Sequence, residues 1–189
     1  MVSISYEQSH SAFDDDLVLV DRVLSNDTHA FQSLYEKYHD KVFAIARGIL
    51  LDSEEAHDAV QEIFTLVYSN LHRFDRRAKF STWLFRIAVN RSIQQSRKLK
   101  YRKLQSPMSE HVEMVPEAPD EMEMPDPFVE RTMARMHPSD RAILTLFYWD
   151  ELNLQEIAES ISCSANAAKT RLFRARERFK TIYEEEVSQ

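Results

Sequence analysis

Apolar residues recur every three or four positions along most of the chain, the pattern of amphipathic helices. Leu17, Val20, Val23 and Leu24 give a first apolar face, and Asp14, Asp15 and Asp16 stand where carboxylates favour a helix N-terminus. A second helix is predicted from near Asp27 or Thr28, with Phe31, Leu34, Tyr38, Val42, Ile45 and Ile49 inside. Asp52, with Glu55 three residues later, has the spacing of a capping box. It opens a third helix that buries Ala56, Val60, Ile63, Phe64, Val67 and Leu71. A loop over His72–Lys79 leads to a fourth helix, from about Phe80 to Leu99, with a stripe of Trp83, Ile87 and Ile93. Four helices of this length make a small bundle.

The periodicity lapses over residues 104–127, where Pro107, Pro116, Pro119, Pro125 and Pro127 sit among Glu, Asp and Met. Proline removes backbone donors and favours extended geometry, so this stretch is predicted to be a flexible acidic linker between two domains. From Phe128 the helical pattern resumes. Pro138 and Ser139 open a helix whose face is Ile143, Leu144, Leu146 and Phe147. Asn153 and Glu156 form a capping box ahead of Ile157, Ala158 and Ile161, and Ser164 caps a last helix from Ala165 to about Tyr183. Helix, short turn, helix is the helix-turn-helix pattern. The fold class is therefore all-α, an N-terminal helical bundle and a C-terminal helix-turn-helix domain on either side of the linker.

Composition sharpens this picture. The chain holds one glycine in 189 residues, and hairpins lean on glycine, so strands are disfavoured. The single cysteine, Cys163, cannot close an internal disulfide, which suits a reducing cytoplasm. No apolar run reaches the roughly 18 residues of a membrane span, and the first residues lack a secretory signal. Membrane insertion is excluded on this reading, and the protein is expected to be cytoplasmic.

Charge is segregated. The formal net charge is −7, yet residues 71–103 carry eleven Lys/Arg against Asp75 alone. Residues 1–70 are net −9, residues 109–130 hold eight acids and no Lys/Arg, and residues 131–183 are net +3. The 71–103 block interleaves Phe74, Phe80, Trp83, Phe85 and Tyr101 with its cations. Cations for phosphates and rings for unstacked bases suit single-stranded nucleic acid, each stacked base being worth roughly 1–3 kcal/mol. The plainer reading is a basic amphipathic helix with a solvated face. Opposed charge also predicts that the acidic linker folds back over the basic block in the free protein.

On a helical wheel, Ala168, Leu172, Ala175 and Phe179 line the inner side of the last helix. Asn166, Thr170, Phe173, Arg174 and Glu177 then face outward, flanked by Lys169, Arg171 and Arg178. Asn reads adenine, Arg reads guanine and an exposed ring meets thymine methyls, so this face suits a major groove. The third helix shows Asp58, Gln61, Glu62 and Thr65 outward, which serves either solubility or a protein contact. Glu7–His10, Glu36–His39 and Glu54–His57 have the Glu-x-x-His spacing of di-metal bundles. Glu36 and Glu54 fall well away from their apolar faces, however, and metal ligands there must point inward. No catalytic residue, metal ligand or cofactor is assigned.

Asp58-Ala-Val-Gln-Glu-Ile-Phe64, Phe80-Ser-Thr-Trp-Leu-Phe-Arg-Ile-Ala-Val-Asn90, Asn153-Leu-Gln-Glu-Ile-Ala-Glu159 and Lys169-Thr-Arg-Leu-Phe-Arg-Ala-Arg-Glu177 together resemble bacterial ECF (extracytoplasmic function, group IV) sigma factors. The resemblance covers residues 14–103 as a region 2 domain and 128–183 as a region 4 domain, with 104–127 as the linker. It implies a non-enzymatic factor that binds RNA polymerase core and directs promoter recognition, DNA melting and transcription initiation. It implies contact with the β′ clamp coiled coil through Asp58, Gln61, Glu62 and Phe64, and with the β subunit as well. It implies a single-stranded −10 site from the 72–79 loop and the following helix, at Arg76, Arg77, Lys79, Phe80, Trp83, Ile87, Asn90 and Arg91. Phe80, Ile87 and Asn90 would line a pocket for a flipped base, and extrusion costs a few kcal/mol that the pocket must return. Asn166, Lys169, Thr170, Arg171, Phe173 and Arg174 would read the double-stranded −35 element. The family also implies an anti-sigma factor as repressive partner, and a linker that threads through polymerase towards the RNA path. The alternative is a stand-alone helix-turn-helix regulator, which has no need of the 71–103 block.

Two departures stand out. Family members often carry glycine in the turn before the recognition helix, where this chain has Ser162 and Cys163; a left-handed backbone there would strain Ser162. Asn166 and Ala168 replace commoner small and β-branched residues, which implies an atypical −35 sequence.

Overall fold

A computed structural model describes residues 15–105, 126–148 and 152–188, with the side chains of 103–105 excepted. The fold is all-α. Helix α1 spans 15–24, α2 Thr28–Leu50, α3 Ser53–Asn70 and α4 Phe80–Gln105, with a 3-10 turn at Leu71–Arg73 before α4. Then come α5 (Pro127–Arg135), α6 (Pro138–Tyr148), α7 (Leu154–Ser160) and α8 (Ala165–Val187). Helix α4 runs on through Leu104 and Gln105, the first two residues of the predicted linker; apart from these and Asp126 and Pro127, the acidic linker and its fold-back lie outside the described residues.

In the first bundle, α2 packs on both α3 and α4. Its buried stripe is Ala30, Leu34, Tyr38, Val42, Ile45, Ala46 and Ile49, the predicted face with alanines added where helices approach. Asp27 caps α2 by accepting from the backbone amides of His29 and Ala30. Asp52 caps α3 through the Glu55 amide at 2.9 Å, but the Glu55 carboxylate turns away to Gln95 and Arg102 of α4. The predicted box is thus half a box, its second arm spent on tying α3 to α4. Asp16 also differs from expectation. It is buried, accepting from Lys37 at 2.6 Å and from the Tyr38 hydroxyl, so it anchors α1 to α2. Burial and this carboxylate push the Tyr38 phenol up. Leu24, predicted inside, is exposed.

In the second bundle α8 is the centre, touching α5, α6 and α7. The Asn153–Glu156 box forms in both arms and fixes the start of α7. Ser162 has φ 55°, the left-handed conformation that strains a non-glycine residue. Ser164 then accepts from the Ala167 amide and opens α8. The far end of α8 is clamped by Arg135, whose guanidinium binds Glu185 at 2.6 Å and Glu186 at 2.8 Å. The bundles are in contact: α6 lies on α2 and α4, and α7 lies on α4.

Candidate nucleic-acid interface

Helix α8 buries Ala168, Leu172 and Ala175, and Phe179 is half-buried. Its outer side exposes Asn166, Lys169, Thr170, Arg171, Phe173 and Arg174. Phe173 is 63 % exposed, an uncovered ring on a cationic face. The Thr170 hydroxyl donates to the Asn166 carbonyl at 3.0 Å, a bond within the helix. Apart from Lys180, which pairs along the helix with Glu184 at 3.9 Å, the cations of α8 fall into two groups. Arg178 pairs with Asp140 at 2.9 Å, and the Arg176 guanidinium lies 4.5 Å from the Phe147 ring centroid and 5.3 Å from that of Tyr148. Both serve to hold α8 on α6. Lys169, Arg171 and Arg174 have no ion-pair partner among the described residues, so their charges stay available to an anion.

The second surface is the loop before α4 and the start of that helix. Asp75 accepts from the Arg77 amide, a local turn that sets the loop, and Arg76 takes a left-handed φ of 61°. Arg76 pairs with Asp21 of α1, which commits it to the scaffold, and Arg77 is exposed. Phe80 is 1 % exposed, packed against the rings of Tyr38, Phe74 and Trp83 at centroid distances of 5.6, 5.8 and 6.0 Å. It is the floor under Trp83 and not a surface. Trp83 is 9 % exposed and walls a cavity of about 490 Å³ with Phe74, Arg77 and Arg86. Ile87 and Arg91 are half-buried, Asn90 is exposed, and Arg91 pairs with Glu62 of α3. Arg86 is the residue that sequence reasoning passed over. It follows Trp83 by three and precedes Asn90 by four, so one helix turn on either side puts it on their face.

On α3, Asp58, Gln61 and Glu62 are exposed and Phe64 is buried against Tyr35 at 4.6 Å. Leu66 and Tyr68 are also exposed, with Tyr68 edge-on to Phe31 at 4.9 Å. Acid beside bare apolar groups gives this side of α3 both a charge and a sticky surface, of which helix spacing predicts only the polar part, Asp58, Gln61, Glu62 and Thr65. Glu36 and Glu54 are exposed, and Glu36 accepts from Gln32 at 2.8 Å. Glu7–His10 lies outside the described residues, and among those described no group of three metal-ligating side chains converges.

The chain matches known proteins across both bundles. The family model for Sigma-70 region 2 matches residues 34–102, and that for Sigma-70, region 4 matches residues 129–179. The ECF RNA polymerase sigma factor SigW of Bacillus subtilis is 31 % identical over 170 residues, covering 84 % of this chain and 91 % of that protein. The ECF RNA polymerase sigma-E factor of Escherichia coli is 32 % identical over 175 residues, covering 86 % and 91 %. The solved structure of the sigma factor RpoE of Bartonella quintana, in complex with the anti-sigma factor NepR, has a TM-score of 0.67 at 18 % identity. It covers 82 % of this chain and 96 % of that one, a likeness of fold.

Proposed function

The chain belongs to the ECF RNA polymerase sigma factors, a family whose function is to direct transcription initiation, and from that premise we propose how its surfaces divide the work. Sigma factors are initiation factors and not enzymes. Residues 14–103 act as the region 2 unit, 128–183 as the region 4 unit and 104–127 as the linker between them.

Helix α8 enters the major groove of the −35 element. Asn166, Thr170, Phe173 and Arg174 face base edges there, while Lys169 and Arg171 take phosphates. The loop before α4 and the first turns of α4 hold the single-stranded −10 element. Trp83 supplies a stacking face, Ile87 and Asn90 line the pocket for a flipped base, and Arg77, Lys79 and Arg91 meet the backbone. Phe80 supports Trp83 from below, and Arg76 positions the loop through Asp21. Asp58, Gln61 and Glu62 dock on the β′ clamp coiled coil, with Phe64 shaping the helix from inside; the β subunit completes the contact. The protein works in the cytoplasm. Its repressive partner is an anti-sigma factor, as RpoE of Bartonella quintana has in NepR.

The observation that carries this reading is the sorting of cations on α8. Arg176 and Arg178 are tied to α6, and Lys169, Arg171 and Arg174, around the bare Phe173, have no ion-pair partner among the described residues. Run-off transcription with purified core polymerase on a promoter library tests it. The expected result is core-dependent initiation that requires one −35 and one −10 sequence. Sequence-specific duplex binding without any core-dependent transcript would leave a plain helix-turn-helix regulator instead.

A further inference from the structure

Helix α8 carries a single acid before Glu184, and that acid, Glu177, lies on the side assigned above to the −35 duplex. At about 100° per residue it falls within about 10° of the direction opposite the buried stripe of Ala168, Leu172 and Ala175. Asn166, Thr170, Phe173 and Glu177 share an arc of about 60°, and all four are exposed. Along the axis Glu177 stands about 6 Å beyond Phe173, at 1.5 Å per residue.

The protein makes no use of this carboxylate. A surface glutamate on a helix usually pairs with a cation three or four residues away. Here Arg178 pairs with Asp140 at 2.9 Å, Lys180 pairs with Glu184 at 3.9 Å, and Arg176 lies on the Phe147 ring. The Thr181 hydroxyl donates to the Glu177 carbonyl at 3.0 Å and not to its carboxylate. Among the described residues the Glu177 side chain has no ion-pair partner. An acid in this position is repelled by the phosphates on both sides of the groove, so it weakens binding unless a base edge donates to it.

Few base edges can. An ionised carboxylate is an acceptor only. In the major groove guanine presents N7 and O6 and thymine presents O4, all acceptors that oppose it. The donors are cytosine N4 and adenine N6, and adenine N6 sits beside N7, a further acceptor. Cytosine is therefore the base whose edge matches.

We propose that Glu177 is a specificity-determining residue of the −35 contact, accepting from the N4 amino group of one cytosine and disfavouring every other base at that position. The proposal rests on the reading of α8 as the −35 helix. The cytosine lies within about two base pairs of the base met by Phe173, because about 6 Å along α8 spans fewer than two steps of about 3.4 Å. The acid lowers affinity for duplex in general and returns it at one sequence, which is selection by repulsion as much as by attraction.

The test is a binding selection with holoenzyme, assembled from core polymerase and the full chain, on promoter duplexes randomised across the −35 region and sequenced after capture. Wild type is expected to enrich cytosine at one position by at least about five-fold over each other base. Glu177→Ala flattens that position and leaves the others as they are. Glu177→Gln moves the preference there to adenine, since an amide accepts from N6 while donating to N7. Unchanged profiles in both variants overturn the proposal. So does a Glu177→Ala profile flattened evenly over the whole element, which would make the acid a general repulsive charge. Phe173→Ala and Arg174→Ala, run in the same selection, tell the two levels of failure apart. If either alters a position while the Glu177 variants alter none, the proposal fails and α8 remains the −35 helix. If none of the four variants alters any position, the reading of α8 fails with it.

Discussion

Phe173 gives the sharpest test of how α8 reads DNA. The ring is 63 % exposed in the free protein, so Phe173→Ala removes almost no packing. Exposed substitutions of this kind change stability by no more than about 0.5 kcal/mol. On DNA the same ring has something to lose. A phenyl side chain carries roughly 200 Å², so the exposed part is on the order of 120 Å². If half of that is covered in the groove, at about 25 cal/mol per Å² the loss is about 1.5 kcal/mol, or roughly ten-fold in affinity. The partner for an aromatic ring on a major-groove helix is the thymine methyl. A buried methyl is worth about 0.8 kcal/mol, close to four-fold. Thymine-to-uracil replacement at each −35 position removes that methyl and nothing else. The assay is therefore a cycle: wild type and Phe173→Ala, each titrated by fluorescence anisotropy against thymine and uracil duplexes. At one −35 position uracil weakens wild type about four-fold and leaves Phe173→Ala unaffected, and the coupling identifies the contacted base. If uracil weakens both proteins equally at every position, Phe173 meets no thymine methyl and the orientation of α8 in the groove is wrong.

Three other outcomes follow from the same geometry. Gln61→Ala with Glu62→Lys weakens pull-down of polymerase core while circular dichroism stays normal, since both side chains are exposed; unchanged affinity would move the docking surface off this face of α3. Phe80→Ala lowers unfolding free energy by about 3–5 kcal/mol in urea, because it empties the centre of the Tyr38–Phe74–Trp83 cluster; a loss below about 1 kcal/mol would mean the ring is not the floor described. Ser162→Gly raises stability by roughly 0.5–1 kcal/mol, seen as a higher Tm, by relieving the left-handed φ of 55°; a lower Tm would show that the turn tolerates serine without strain.

Helix periodicity carried most of the fold. The stripe from Leu34 to Ile49 and the caps at Asp27, Asn153 and Ser164 follow from local rules, because spacing and capping depend on neighbours within a turn. Failures came where a polar side chain spends itself over a long sequence distance. Asp16 reads as a helix-start carboxylate, but it bonds Tyr38, 22 residues away. Glu55 reads as the second arm of a box, but Gln95 and Arg102 take it. Exposed Leu24 fails for a related reason: the wheel gives the direction of a side chain, not whether another element stands there to cover it.

The candidate surfaces show the same limit. Wheel geometry places Phe173 and Arg174 outward because α8 has one buried side and solvent on the other. It sets Arg176 roughly 200° from Arg174, but it cannot show that Phe147 and Tyr148 stand there to take the guanidinium. In the 71–103 block it cannot separate Phe80 from Trp83, because both belong to one aromatic cluster and differ only in depth. Gly48 is the extreme case. In the sequence a lone glycine argues only for the absence of hairpins, and inside α2 it is a local defect. Its meaning appears when Thr145, 97 positions along the chain, is found against its Cα. A residue that is unfavourable for its own helix and necessary for the contact with another bundle is best explained by a constraint on that contact. In that contact the Thr145 hydroxyl and the Arg141 Nε are buried with no hydrogen-bond partner among the described residues, and a looser contact would let water reach them.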